Sequence, residues 1–378
     1  MPTTFFLNED ITAEILALLP AKDICRLRCV CKQWLHLLSN PRFIQHHSAR
    51  NPHPPVSGFF LSDHNHGSQH FPIKPNPPRL PNPTLSFIPA DDGTRIFVES
   101  SCNGLIICFQ KAMYYVCNPT TREFVELPVP DEVARNLSLV FDPSKSPHYK
   151  VISICSQVHI YSSETRSWKL SMDNTKLRES VSAHQAGSIH WKRSTYWNST
   201  LVWLVTRYLL SFDVTRECIT KLTLPPEAPH YSKVIYMGES RGKLVVIGKP
   251  RNQEPYVFYI LETDNLCSGW SLIYKVDLYR IGDLYPEIRK RPIWVSGIKR
   301  NVRRRAVNCA GFLPVHLSMG GEGEGQLLFL NVPGKIISYN LSDKSFTKVR
   351  DLLSSMGPYD CLYGWRKFEF LGHTLFSP

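Results

Sequence analysis

The residues that first invite chemistry are three imidazoles in a proline-flanked stretch, His64-x-His66-x-x-x-His70. Neutral imidazoles are ordinary zinc ligands, but a closed site needs a fourth donor, and no cysteine or carboxylate set stands at a matching spacing. A solvated loop is the expectation, and no metal is assigned. Cys25, Cys29 and Cys31 share one short segment without a C-x-x-C pair or a histidine partner. They read as small apolar packing residues. Gly320-Gly-Glu-Gly-Glu-Gly325 lacks the lysine and hydroxyl residue of a phosphate-binding loop, so it reads as a flexible connection. Asp142, Asp213, Glu262 and Asp264 are scattered carboxylates in turn contexts that explain them without catalysis. The sequence contains no nucleophile elbow, no H-E-x-x-H and no nucleotide fingerprint. Neither an enzyme activity nor a cofactor is expected.

Charge is the other source of chemistry. The 378 residues carry a formal net charge of +12, which permits attraction to nucleic acid or acidic proteins without establishing either. Most of the excess is scattered, with one concentration at Arg289, Lys290, Arg291, Lys299, Arg300, Arg303, Arg304 and Arg305. A solvated loop or a charge-protected edge strand is the plain reading. A nuclear-import signal and a docking patch for an acidic partner are the alternatives. A hydrophobic content of 43% with 11% aromatics and 20% charged residues suits a β-rich globular chain with a sizeable core. Eleven cysteines would suggest disulfides in an oxidising compartment. However, Met1–Asp10 has no basic n-region or signal-type apolar run, and no stretch approaches bilayer-spanning length. Reduced cysteines, a nuclear and/or cytoplasmic location and no membrane partner are therefore expected.

Two elements must position whatever the chain binds. The first is helical in pattern and occupies residues 1–50. Asn8 or Asp10 can cap a first helix whose negative first turn suits the helix dipole. Ile11, Ile15, Leu18 and Leu19 fall on one face, with Leu16 beside them. Pro20 stops that helix, and Asp23 can cap a second. In it Ile24, Leu27, Val30, Cys31 and Trp34 recur at helical spacing, and Asn40-Pro41 ends the run. Such a unit has more apolar surface than it can bury alone. It is either a cap on the following domain or a surface waiting for a partner.

The stretch resembles an F-box, the motif by which substrate receptors join cullin-RING ubiquitin ligases through a Skp-type adaptor. The likeness rests on Leu7, Asp10, Ile11, Glu14, Ile15, Leu16, Leu19, Pro20, Lys22, Ile24 and Arg26, then on Leu27-Arg-Cys-Val-Cys-Lys32, Trp34, Leu37, Leu38, Pro41 and Phe43. The Arg-Cys-Val-Cys-Lys-x-Trp core is similar to the large plant group. Asn8 departs from the family, which usually has proline at that position. The resemblance implies an adaptor-binding set of Leu7, Asn8, Ile11, Ile15, Leu16, Leu19, Pro20, Leu27, Val30, Cys31 and Trp34.

Residues 51–89 are rich in proline and read as a stiff linker, with one possible strand at 56–61. From about residue 90 onward the pattern changes to strands and turns. Five units repeat an apolar strand, a short polar turn and an aromatic or branched start to the next strand. Their turns begin at 118, 162, 213, 261 and 340, at gaps of 44, 51, 48 and 79 residues. The first three gaps lie near the period of about 50 residues of kelch propellers. The last leaves room for a degenerate unit or an insertion. About six blades are expected, closed by pairing between early and late strands. Ser101-Cys-Asn-Gly-Leu105, Asn118-Pro-Thr-Thr-Arg122 and the Tyr339-Asn340…Phe346 unit resemble the F-box-associated domain of plant receptors.

The expected architecture is a small all-α F-box of about three helices followed by an all-β, kelch-like β-propeller over residues 90–378. The resemblance implies a non-catalytic substrate receptor of a Skp-cullin-F-box ligase, acting in proteasomal degradation. Its partners would be the adaptor, through it cullin and RING subunits, and a protein substrate bound by the β domain. The rival reading is a nuclear nucleic-acid-binding or scaffold protein using 289–305.

Overall fold

The computed structural model describes residues 8–51, 56–63, 67–73, 85–89, 94–128, 137–154, 157–173, 194–205, 208–224, 231–250, 256–265, 269–285, 293–294, 306–307, 313–319, 325–332, 334–352, 367–371 and 374–378. All structural statements concern these residues. Met1–Val181 with Phe368–Pro378 form one compact unit and Ser182–Lys367 a second.

Four helices open the first unit: α1 (Glu9–Leu16), α2 (Ala21–Leu27), α3 (Lys32–Leu38) and α4 (Pro41–Arg50). Asn8 caps α1, its Oδ1 accepting from the Asp10 amide at 3.0 Å. The expected second helix is two helices. Pro20, not Asp23, is the N-cap of α2, and the chain turns through Arg28–Val30 before Cys31 caps α3 with its sulfur. Asn40-Pro41 both ends α3 and starts α4, because proline is pre-organised for the first helical position, where its missing N–H costs nothing. The helices close on Leu16, Ala17, Ala21, Ile24, Leu38 and Phe43.

The segment read as a linker carries two strands, β1 (Gly58–Asp63) and β2 (Gly67–Pro72), in antiparallel register. Pro75, Pro77, Pro78, Pro81 and Pro83 lie outside the described residues. Phe60 of β1 joins Leu85, Ile88, Val98, Ile106 and Cys108 in one core, so β1 packs with the β region and runs from Gly58 to Asp63 rather than over 56–61.

The first blade is β3 (Phe97–Cys102), β4 (Leu105–Gln110), β5 (Met113–Asn118) and β6 (Glu123–Leu127). The second is β7 (Leu137–Val140), β8 (Lys150–Ile154), β9 (Val158–Ser162) and β10 (Ser167–Met172). In the other unit the third blade is β11 (Ser194–Trp197), β12 (Thr200–Val205), β13 (Tyr208–Asp213) and β14 (Cys218–Thr223). The fourth is β15 (Tyr231–Ser240), β16 (Lys243–Pro250), β17 (Val257–Thr263) and β18 (Ser271–Asp277), followed by a single-turn helix α5 (Ile281–Leu284). A two-stranded ribbon, β19 (Ile293–Trp294) and β20 (Ala306–Val307), precedes the fifth blade of β21 (Leu313–Met319), β22 (Gln326–Val332), β23 (Lys335–Asn340) and β24 (Phe346–Asp351). The last strand, β25 (Lys367–Leu371), pairs with β1 in the three-stranded order β2-β1-β25. Early and late strands therefore do meet, and against the expected six there are five complete blades plus this mixed sheet.

The five units seen in the sequence are the third and fourth strands of the five blades. Their turns share a physical cause. Arg122, Arg166, Glu217 and Lys344 each stand four residues after the turn start in the left-handed region, at φ 65°, 52°, 54° and 60°. In three of the turns a side chain supports the bend: Asn118, Asp213 and Asn340 each accept the backbone amide two residues on, at 2.8 Å. The fourth blade departs, running its strand to Thr263, whose hydroxyl lies 2.7 and 2.8 Å from the Asn265 and Gly269 carbonyls and shares its one proton between them. Among the described residues the long last gap holds the helix α5 and the ribbon β19–β20 ahead of the fifth blade. Middle strands such as β4, β13 and β22 are nearly continuous apolar runs because both their faces are covered. Fourth strands are largely exposed and carry lysines such as Lys169, Lys275 and Lys348, which blunt an open sheet edge.

Candidate functional site

The candidate catalytic groups do not assemble a reacting centre among the described residues. No group of three or more histidine, cysteine, aspartate or glutamate side chains there could hold a metal. His70 is buried in β2 with its ring 5.1 Å from Phe60, edge to face. His64, His66 and all eight residues of the basic concentration lie outside the described residues, as do Gly320–Glu324. Asp142 accepts from the Ser144 amide and hydroxyl at 3.2 and 2.6 Å and pairs with Lys145 at 3.2 Å. Burial works against its ionisation, but these partners hold its carboxyl below the usual carboxylate value. Asp213 is a turn former, and Glu262 pairs with Lys243 at 2.5 Å. Cys25 is half-buried, and burial pushes its thiol up; Cys29 and Cys31 are exposed, and Cys31 is a helix cap, not a packing residue. No described helix is long and apolar enough to cross a membrane.

The helical unit is where exposed apolar surface concentrates. Among the described residues eleven large apolar side chains are exposed, and five of them stand on the first four helices and their turns. These are Ile11, Ile15, Leu18, Val30 and Leu35, at 51%, 52%, 64%, 61% and 48%. Ile11 and Ile15 stand one turn apart on α1 and face solvent, while Leu18 lies in the turn after the helix, beside Thr374 and Phe376. Leu16, its neighbour in sequence, is 5% exposed and belongs to the helices' own core. Leu19, Leu27 and Trp34 are half-buried against that core, while Asn8, Pro20 and Cys31 are exposed. Leu7 lies outside the described residues. The residues expected together on one docking surface therefore divide into an outward set, a supporting set and the core residue Leu16.

Polar groups fix the helices beneath this surface. Glu14 of α1 accepts from Arg50 of α4, and His46 lies 3.1 Å from the same carboxylate. Arg28 donates to the Leu38 carbonyl at the end of α3, at 3.0 Å. Asn51 donates to the carbonyls of Ala17 and His47 at 3.0 and 2.9 Å. His47, buried, sits 2.8 Å from the Leu19 carbonyl through Nε2; burial lowers its pKa and that contact partly restores it. Asn8, which departs from the usual proline, has a local task of its own as the cap of α1. Leu18 was legible in the spacing as part of the outward stripe. Leu35 stood in the spacing on a second apolar side of the 24–38 run, with Cys29 and Leu37, but Leu37 is buried and Leu35 faces solvent.

Two family models match the chain. Residues 6–46 match the family described as F-box domain. Residues 75–279, more than half of the chain, match the family described as F-box associated beta propeller domain. An F-box protein of Arabidopsis thaliana is 28% identical over 402 residues, covering 96% of this chain and 90% of its own. A second from the same plant is 26% identical over 312 residues, covering 74% and 81%. A third, named an F-box/LRR-repeat/kelch-repeat protein, is 28% identical over 232 residues, covering 57% and 60%. The chain belongs to the F-box-associated β-propeller family and is a plant-type F-box protein.

Proposed function

We propose that this chain is the substrate-recognition subunit of a Skp-cullin-F-box ubiquitin ligase, acting in the nucleus and/or cytoplasm. The observation that carries the reading is the outward apolar set Ile11, Ile15, Leu18, Val30 and Leu35 on a helical unit that already has its own core. Concentrated exposed apolar surface on a structured unit is the signature of a protein contact, and large side chains at its centre supply most of the affinity. A Skp-type adaptor is the partner that the F-box family supplies for it. Cullin and RING subunits follow through the adaptor, and a protein substrate binds the β region.

The receptor needs no bond-making residue. Its work is to convert a bimolecular encounter into a local one: a substrate lysine held near a charged conjugating enzyme reacts at raised effective concentration. The test is affinity capture from plant cells of the wild-type chain beside a variant with Ile11→Asp, Ile15→Asp and Val30→Asp. Adaptor and cullin should co-purify with the wild type alone, and proteins bound to the β region should accumulate on the variant. Wild-type chain recovered without adaptor would overturn the proposal.

A further inference from the structure

The segment Thr374–Pro378 lies between the helices and the first blade and is held by both. Asn118 ends β5 and is fully buried. Its Oδ1 accepts from the amides of Thr120 and Thr121 at 2.8 and 3.3 Å, which is the turn function shared with Asp213. Its Nδ2 does something Asp213 has no atom for. It donates both hydrogens to the segment, to the Thr374 carbonyl at 3.0 Å and to the Phe376 carbonyl at 2.8 Å. Leu375, between those two carbonyls, is 2% exposed and completes the core formed by Leu16, Ala17, Ala21, Ile24, Leu38 and Phe43. In an extended chain neighbouring groups face opposite ways, so one short strap can grip a blade with two carbonyls and a helical core with one leucine.

Three further contacts complete the blade side. Phe376 meets Phe141, which follows β7 of the second blade, edge to face at 5.5 Å. The Ser377 hydroxyl donates to Glu123 at 2.5 Å. Gly104, in the β3–β4 turn at φ +89°, leaves room for Thr374: a Cβ there would lie 2.8 Å from Thr374 Cγ2 and 2.9 Å from its amide nitrogen. The turn thus needs glycine both for its dihedral and for the strap's approach.

We infer that Thr374–Pro378 is a coupling strap and that Asn118 is its positioning residue, together holding α1–α4 in one orientation on the first blade. The inference rests on the ligase reading for its purpose, since an adaptor dock that swings freely would spread the substrate over a larger volume and lower its effective concentration. The contacts themselves do not depend on that reading.

The test uses the full chain, with spin labels on unnatural residues placed at the exposed positions Gln45 of α4 and Glu126 of β6. Distances are read by double electron–electron resonance. Asn118→Asp keeps the turn acceptor and removes both strap donors, while Leu375→Ala loosens the strap from the helical side. Wild type should give one narrow distribution, and each variant a broader one. Hydrogen exchange in α1–α4 should quicken roughly 10- to 30-fold in Asn118→Asp, the scale of two lost hydrogen bonds, with β3–β6 protection kept. Affinity for a recombinant Skp-type adaptor should stay within about twofold in that variant, since the docking face is untouched. Either variant, folded, with the wild-type distribution would overturn the inference, as would a broad wild-type distribution. Loss of β3–β6 protection in both variants would overturn it in favour of a folding role. Broadening without any adaptor binding by the wild type would leave the strap standing and remove the ligase reading.

Discussion

Ile15 and Leu16 are adjacent in α1 and chemically alike, yet they should fail in different ways when cut to alanine. Leu16 is 5% exposed among Ile24, Leu38 and Phe43, whereas Ile15 is 52% exposed. Leu16→Ala removes a packed core side chain and should cost about 2–4 kcal/mol within the helical unit, enough to populate its unfolded form. Ile15→Ala should cost no more than about 0.5 kcal/mol in stability, as expected for an exposed site. Fully burying an isoleucine contributes about 1.5–3 kcal/mol, and half of that surface is still open, so covering it with a partner should add about 0.75–1.5 kcal/mol. Ile15→Ala should therefore weaken adaptor binding roughly 3- to 13-fold while leaving the helices intact. Leu16→Ala should weaken it only through the reduced fraction of competent helices. Hydrogen exchange of α1–α4 together with calorimetric titration against recombinant adaptor separates the two effects. Unchanged affinity in Ile15→Ala, or full helix protection in Leu16→Ala, would refute this reasoning.

Other perturbations follow from local contacts. Asn40→Ala removes the side chain that accepts the Arg42 amide at 2.9 Å and caps α4, so α4 should lose about 1 kcal/mol of local stability, read as faster exchange of its first-turn amides. His316 is half-buried beside Tyr236, 3.3 Å from its hydroxyl, and Phe329, and desolvation lowers its pKa from 6.5 to about 3. The folded form therefore resists a proton that the unfolded form accepts. The stability this provides is present above about pH 6.5 and is lost as pH falls toward 3, at up to about 1.4 kcal/mol per unit. Urea melts of the chain at pH 7, 6 and 5 should show that slope, and His316→Gln should flatten it.

Where local chemistry decided the structure, the sequence was readable. The turn starts at 118, 213 and 340 are marked by Asn or Asp, whose side chains make the bend, so the repeat stood out before any strand was placed. Helix α1 was readable for the same reason, with Asn8 as its cap and an apolar stripe behind it. Elements fixed by distant partners were not. The break at Arg28–Val30 leaves the helical spacing of Ile24, Leu27 and Trp34 nearly intact, so the pattern showed one helix where there are two. Asn40-Pro41 looked like a stop because the same pair that ends one helix can begin the next. β2 is short and polar, and it is held by pairing with β1 and by the Ser68 contacts to Ile96 and Val98. The outward and inward halves of the predicted docking set could not be told apart, because Leu375 fills the core from a position more than three hundred residues away.

Whether the helical unit docks a Skp-type adaptor is read most directly by isothermal titration of the purified 378-residue chain with recombinant adaptor alone, with no other subunit present. Saturable one-to-one binding is expected, weakened by Ile15→Ala and by Val30→Ala. No heat and no co-elution at adaptor concentrations of about 100 μM, where even a weak interface with a Kd near 10 μM would be mostly occupied, would contradict it.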